Sequence, residues 1–308
     1  MIRWGVIGPG AIAVGFADAM QMVEGADIVA VASRSQERAD VYADRYGIAT
    51  RYDDYAALAR DPQVDVVYVA TPQSRHVDDT LSMLSAGKHV LCEKPFALNE
   101  RQARRMVDEA RRQGVFLMEA IWSRFLPAYR ALVDVVGSGR VGDPLLVEAD
   151  FGIRRPLDPD NRLFRADLGG GGLLDLGIYP LQLCTLLLGP VEDVAAVLRH
   201  GGGKLGVIKA ALRVNMTCSA RVSGTEGVVE IPALMHCPNS LRVLSPAGID
   251  DIDASYEGNG LRFEIDEVNH CLAEGRTESD VVPLDETLAF VRTLDDIRRQ
   301  IGLVFPGE

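Results

Sequence analysis

Short apolar runs alternate with amphipathic stretches over the first 120 residues. Ile2–Ile7 reads as a strand and Ala11–Met20 as a helix. Asp27–Ala32 is a second strand, followed by a helix over Gln36–Tyr46. Asp65–Ala70 (DVVYVA) is a strand rich in β-branched residues, and Ser74–Ala86 a helix stopped by Gly87. Lys88–Cys92, a helix over Glu100–Gln113 stopped by Gly114, and Val115–Glu119 close the series. Near-continuous apolar strands separated by helices predict a doubly wound parallel sheet covered on both faces.

The pattern changes near residue 121. Pro127–Val136 reads as a helix and Pro144–Gly152 as a strand. A polar loop over residues 154–167 leads to the glycine run Gly169–Gly172 and an apolar helix ending near Leu188. Short strands then follow without helices between them, at Leu205–Val214, Thr217–Ser223 and Gly227–Ile231, which predicts an open, mainly antiparallel sheet. Leu261–Ala273 and Asp285–Ile301 read as late helices. In the second, Leu288, Val291, Leu294, Ile297 and Ile301 form a stripe expected to pack into the core. The chain is therefore expected to be α/β. A Rossmann-type unit over residues 1–121 precedes an α/β unit with a large open sheet over 122–308. That second unit should bind substrate and, through its open face, a second copy, giving a homodimer or homotetramer.

The 308 residues carry a net charge of -12 and are 47% hydrophobic, so a sizeable core needs no disulfides or metal. The negative balance argues against a nucleic-acid or anionic-membrane surface. The five cysteines are odd in number and form no CxxC pair, so neither a disulfide framework nor a metal site is expected, and a cytoplasmic location fits. The first strand starting at Ile2 leaves no room for a leader in the sequence as given. The membrane-like stretch Leu173–Gly189 contains Asp175 and Gln182 and is expected to be a buried helix.

Chemistry enters at the strand ends. Gly8-Pro9-Gly10-Ala11-Ile12-Ala13 follows the first strand and opens the first helix. Its first glycine makes the tight turn, the second lets backbone approach a pyrophosphate, and the small Ala13 lets helix and strand pack closely. The helix N-terminus offers free N–H groups to the phosphates. An acidic residue at the end of the second strand would bind the ribose hydroxyls of NAD. Here the strand ends in Ser33 and Arg34, with Arg38 in the next helix, and this favours NADP(H) over NAD(H). A solvated arginine is the alternative reading of Arg34. Glu93-Lys94-Pro95 follows the predicted strand Lys88–Cys92, at the strand end where open α/β sheets bind ligands; by itself Lys94 is equally well a surface lysine. Asp175 and Tyr179 lie four apart, on one face of a helix. Tyr179 could act as a base near neutral pH only beside a cation.

GPGAIA, ATPQSRHV (70–77), the EKP tripeptide and DLGIY (175–179), taken together, resemble the glucose–fructose oxidoreductase and inositol dehydrogenase (Gfo/Idh/MocA) family. Residues 118–127 (MEAIWSRFLP), 161–164 (NRLF) and 169–180 (GGGGLLDLGIYP) are similar to its dihydrodiol dehydrogenase and NADP-dependent xylose dehydrogenase branch. The resemblance implies that Lys94 contacts the substrate hydroxyl near the nicotinamide. It implies that Thr71, Pro72 and His76 lie beside the nicotinamide ribose, with Glu93 in the same cofactor set, and that Trp122 and Arg124 flank cofactor and substrate. Most of the family carries histidine where this chain has Tyr179. The expected chemistry is hydride transfer to or from a sugar or cyclic diol. Tyr179 exchanges the hydroxyl proton, Lys94 polarises the oxygen and Asp175 orients the pocket; which of Tyr179 and Lys94 is the acid–base group stays open. Phe151 and Asn161 are further candidates for the substrate pocket. His89, His200, His236 and His270 show no ligand spacing and read as structural, and Cys92 as strand packing. The stretch between Gly189 and Arg213 is shorter than the branch would have, with the segment His200–Lys204 in place of a strand pair. Two alternatives stand beside the main reading: an NAD-dependent inositol or other polyol dehydrogenase, and a non-catalytic protein that binds NADP or a sugar as a sensor.

Overall fold

The computed structural model describes residues 1–195 and 197–306. They divide into two units, one of residues 1–122 and 258–288, the other of the described residues from 123 to 257 and from 289 to 306.

The first unit opens with β1 (Ile2–Ile7), α1 (Ala11–Met20), β2 (Ala26–Ala32), α2 (Gln36–Tyr46), β3 (Thr50–Tyr52), α3 (Tyr55–Ala59) and β4 (Val66–Val69). It continues with α4 (His76–Ser85), β5 (His89–Glu93), α5 (Glu100–Gln113) and β6 (Leu117–Ala120). The six strands run in the order β3-β2-β1-β4-β5-β6, and every pair is parallel. This is the doubly wound sheet that the alternation predicts. The buried β4 (VVYV) and β5 explain why those strands read as unbroken apolar runs. Local chemistry sets the helix ends. Ser35, Asp54 and Asn99 cap α2, α3 and α5 with their side chains, and Gly47 and Gly114 end α2 and α5 in the left-handed region. The sequence pattern gave no sign of β3 or α3, which are only three and five residues long.

The second unit contains α6 (Pro127–Gly137), β7 (Pro144–Gly152), a π turn (Leu173–Gly177) that runs into α7 (Ile178–Leu188), then β8 (Val191–Val194), β9 (Leu198–His200), β10 (Lys204–Ala211), β11 (Ala220–Gly224), β12 (Val228–Ile231), β13 (Ser240–Ser245) and β14 (Gly248–Asp253). Its eight strands are ordered β14-β13-β12-β11-β7-β10-β9-β8 and are antiparallel except for β7 with β10. Gly201–Gly203 form the turn of the β9–β10 hairpin, so the short segment still carries a strand pair. The stretch Ala166–Leu188 is long and apolar enough to cross a membrane by composition, but 78% of its apolar window is buried, as in a core helix.

Period-2 alternation divides the large sheet. Val147, Val222, Val229 and Val243 share one fully buried face. On the other face the register aligns Glu148, Arg221, Glu230, Arg242 and Asp251 on five successive strands, a row of alternating sign. Beside it runs a mostly apolar row, Leu205, Leu146, Ser223, Val228, Leu244 and Ile249. The open face is thus half apolar and half charged, where an apolar face was expected.

Two helices complete the chain: α8 (Arg262–Ala273), which belongs to the first unit, and α9 (Leu284–Ile301), which begins there and ends in the second. The α9 stripe needs one correction. Leu288, Val291 and Leu294 are buried, but Ile301 is 64% exposed. In the last turn Arg298 is buried instead, over the Phe305 ring at 4.5 Å and paired with Asp295 at 2.8 Å.

Candidate active site

In the first unit, β1 ends at Gly8, whose φ of +78° is left-handed. A Cβ there would meet the Thr71 amide nitrogen at 2.8 Å, so only glycine fits. Gly10 is the N-cap of α1 and leaves that helix end without a side-chain cap. Ala11 and Ile12 lie exposed in the first turn, while Ala13 is fully buried against the sheet. Free backbone N–H groups at an uncapped helix end suit a pyrophosphate.

At the end of β2, Ser33 is buried and its hydroxyl accepts from Ser35 N–H at 3.3 Å. Arg34 and Arg38 are exposed there, two cations beside the turn where a ribose phosphate would sit. After β4, Thr71 is buried, and its hydroxyl has no hydrogen-bond partner among the described residues. Pro72 heads the following 3₁₀ turn. His76 is 1% exposed, with Nδ1 2.9 Å from the Pro95 carbonyl and Nε2 2.9 Å from the Thr71 carbonyl. Burial lowers its pKa, and a neutral ring donates to one of the two carbonyls. His76 is therefore spent on tying two loops together; the uncommitted hydroxyl of Thr71 is the group there that can receive a ligand.

Lys94 is half-buried beyond the end of β5. Its peptide is held by Glu93, whose Oε2 accepts the Lys94 N–H at 3.1 Å and whose Oε1 accepts the Tyr68 hydroxyl at 2.6 Å. Burial, with the Glu93 charge beside it, drives the Tyr68 phenol far above its ordinary pKa, so it remains a donor. Glu119 of β6 accepts the Phe96 N–H at 2.9 Å and fixes the far side of the same loop. Cys92 is fully buried, and burial pushes its thiol up, which fits strand packing. Trp122 is half-buried at the head of a 3₁₀ turn.

In the second unit, Asp175 lies in the π turn and Tyr179 in the first turn of α7. The wider turn alters the simple i,i+4 relation read from sequence; such insertions are frequent at functional sites. Asp175 is 2% exposed and accepts from Arg162 at 2.8 Å. Tyr179 and Phe151 are also buried, their ring centroids 5.5 Å apart. His236 completes this group, stacked on Phe151 at 4.4 Å and tilted against Tyr179 at 5.3 Å, with Cys237 Sγ 3.5 Å from its Nε2. Arg162 was not singled out in the sequence, and His236, read there as structural, instead joins this aromatic group. Arg162 lies within the NRLF stretch, which offered a signal; His236 reaches Phe151 only through tertiary folding and offered none. Asn161 is exposed and caps a short turn by accepting the Leu163 N–H. Arg124 is buried and donates to Gln182 through Nε at 2.5 Å and Nη2 at 3.0 Å, which anchors α7. Among the described residues no cluster of His, Cys, Asp or Glu could hold a metal.

A turn shaped for a pyrophosphate and a strand-end lysine held by a buried glutamate define a nucleotide-dependent oxidoreductase of the Rossmann class. Comparison with known proteins agrees. Residues 2–121 match the family model described as an oxidoreductase family with an NAD-binding Rossmann fold, and residues 129–202 match the GFO/IDH/MocA C-terminal domain. The chain is 37% identical to a trans-1,2-dihydrobenzene-1,2-diol dehydrogenase of Mus musculus and 35% identical to that of Homo sapiens; each alignment covers all of this chain and 99% of the relative. Similar solved structures include an aldose–aldose oxidoreductase from Caulobacter crescentus complexed with glycerol (TM-score 0.87, 28% identity, 98% of each chain). Another is a 3-ketoreductase from Actinomadura kijaniata in complex with NADP and TDP-benzene (TM-score 0.86, 26% identity, 97% of each chain). The chain belongs to the GFO/IDH/MocA oxidoreductase family and is an NAD(P)-dependent oxidoreductase.

Proposed function

We propose that this protein is an NADP(H)-dependent dehydrogenase or reductase acting on a CH–OH or C=O carbon of a sugar or cyclic diol. The observation that carries the reading is the end of β5, where Glu93 and Tyr68 hold the Lys94 peptide in a fixed position. A surface lysine needs no such buried support. Relatives named for a cyclic diol and structural neighbours named for an aldose and a keto substrate support the substrate class. Preference for NADP rests on Ser33 and the exposed cations Arg34 and Arg38, with no acid at the strand end.

The residues that would hold the nucleotide are Gly8, Gly10, the α1 N-terminus, Ser33, Arg34, Arg38 and Thr71. When bound, the nicotinamide supplies the acceptor or donor for the hydride. Lys94 donates a hydrogen bond to the reacting oxygen, Tyr179 exchanges its proton, and Asp175, paired with Arg162, orients the substrate hydroxyls. We further propose a cytoplasmic homodimer or homotetramer joined through the half-apolar open face of the large sheet. Isothermal titration of NADP and NAD tests the cofactor: NADP should bind at least about tenfold more tightly, since a charge-assisted contact contributes about 1.5–3 kcal/mol. Equal affinities would return the weight to an NAD-dependent polyol dehydrogenase.

A further inference from the structure

The support beneath Lys94 contains a second carboxyl group. Glu264, on α8, is fully buried, and neither of its oxygens has a hydrogen-bond partner among the described residues. The charged group that acts on it is Glu93 of β5, and Glu264 acts in turn on Tyr68 of β4. Tyr42 of α2 also acts on Tyr68. On α8 itself the Arg262 guanidinium lies over the Phe263 ring at 4.7 Å, and Asn269 accepts the Trp4 indole N–H at 3.1 Å. Around the cluster, Tyr68 stacks on Phe16 at 3.9 Å and Phe16 tilts against Trp4 at 5.3 Å. The surroundings are buried and aromatic, and among the described residues no cation acts on Glu264.

Two carboxyl groups in such a place do not both ionise. Their partners decide which one holds the proton. Glu93 accepts from the Lys94 amide and the Tyr68 hydroxyl, which stabilise its anion. Glu264 has neither donor. We infer that Glu264 is a positioning residue that keeps its proton at neutral pH, leaving Glu93 as the single anion that holds the Lys94 peptide. The inference rests on the proposed role of Lys94 at the reacting oxygen.

The direction of the pH effect follows. Burial and the Glu93 charge raise the Glu264 pKa well above the usual glutamate value. The stability of the protonated arrangement is complete below the ordinary glutamate range and is lost as pH rises through the raised value. Ionised Glu264 would repel Glu93 and loosen its grip on Lys94, so kcat falls on the alkaline side.

Three readouts test this on the purified full chain. Infrared difference spectra at neutral pH, wild type against Glu264→Gln, should show a protonated carboxylic-acid band present only in the wild type. Melting temperature against pH should show Glu264→Gln gaining on the wild type as pH rises. The kcat–pH profile of Glu264→Gln should match the wild type within about threefold at neutral pH, as expected for a neutral isostere, and lose less on the alkaline side. Glu264→Asp, which still titrates, should keep the alkaline fall. Absence of the acid band, or identical pH dependences for Glu264→Gln and the wild type, overturns the inference. The infrared and melting readouts need no substrate, so a wild type that turns over no sugar or diol defeats the proposed function while the proton on Glu264 is still decided.

Discussion

Glutamates and their polar partners occupy opposite physical regimes in two regions of this molecule. At the carboxyl end of β5 in the first unit, Glu93 and Glu264 are buried among aromatic rings, with Glu93 shared between a tyrosine hydroxyl and a backbone amide. On the open face of the second unit's sheet, Glu148, Arg221, Glu230, Arg242 and Asp251 form a row of alternating charge reached by water. Desolvation governs the first group and screening the second. A count of charges would rank the ladder as the more heavily built feature, whereas burial marks the β5 end as the place where protonation states are set.

The comparison is broken most severely at Lys94 and Tyr179. Lys94→Ala and Tyr179→Phe should each lower kcat by about 10²–10⁴, the range for loss of a positioned acid–base or polarising group. Unchanged nucleotide affinity by titration would show that the loss is chemical. Next comes the packing that buries the β5 region. Phe16→Ala removes a fully buried ring stacked on Tyr68 and should cost about 3–5 kcal/mol by urea unfolding. A cost below about 1 kcal/mol would mean that the aromatic wall is not what excludes water there. Smaller is the cofactor effect. Arg34→Ala should weaken NADP about tenfold, as loss of one charge-assisted contact implies, and leave NAD almost unchanged. The smallest effect belongs to the ladder. Arg242→Ala breaks the exposed pair with Asp251 (2.7 Å), which water screens, and should leave monomer unfolding almost unchanged. A clear shift to smaller species in sedimentation, with unfolding unaffected, would sharpen the proposal that this face joins two copies.

Much of this arrangement was legible in the sequence because it is written in local pattern. The β7 boundaries match the predicted strand, Pro144–Gly152, because a proline opens and a glycine closes a run rich in apolar residues. The Gly8 turn and the strand-end Lys94 were visible because backbone geometry demands glycine at the first and sheet topology places the second. Three features were not legible, each for a stated reason. Gly258–Leu288 joins the first unit, but an amphipathic helix does not say which core receives its apolar face. The π turn before α7 adds a residue to the helical period, which apolar residues on every side of that helix conceal. Glu264 reads in sequence as an ordinary glutamate in a helix's first turn, where acids are favoured anyway; only tertiary burial reveals it.

The most direct test of the central claim is absorbance at the reduced-nicotinamide band. Wild-type protein is mixed with NADP or NAD and a panel of D-xylose, D-glucose, inositol and a cyclic trans-diol. The account predicts reduction of NADP with a sugar or the diol, at least about tenfold more efficiently than NAD, by the same charge-contact argument. Tight NADP binding with no turnover across the panel, or turnover confined to NAD and inositol, would contradict it.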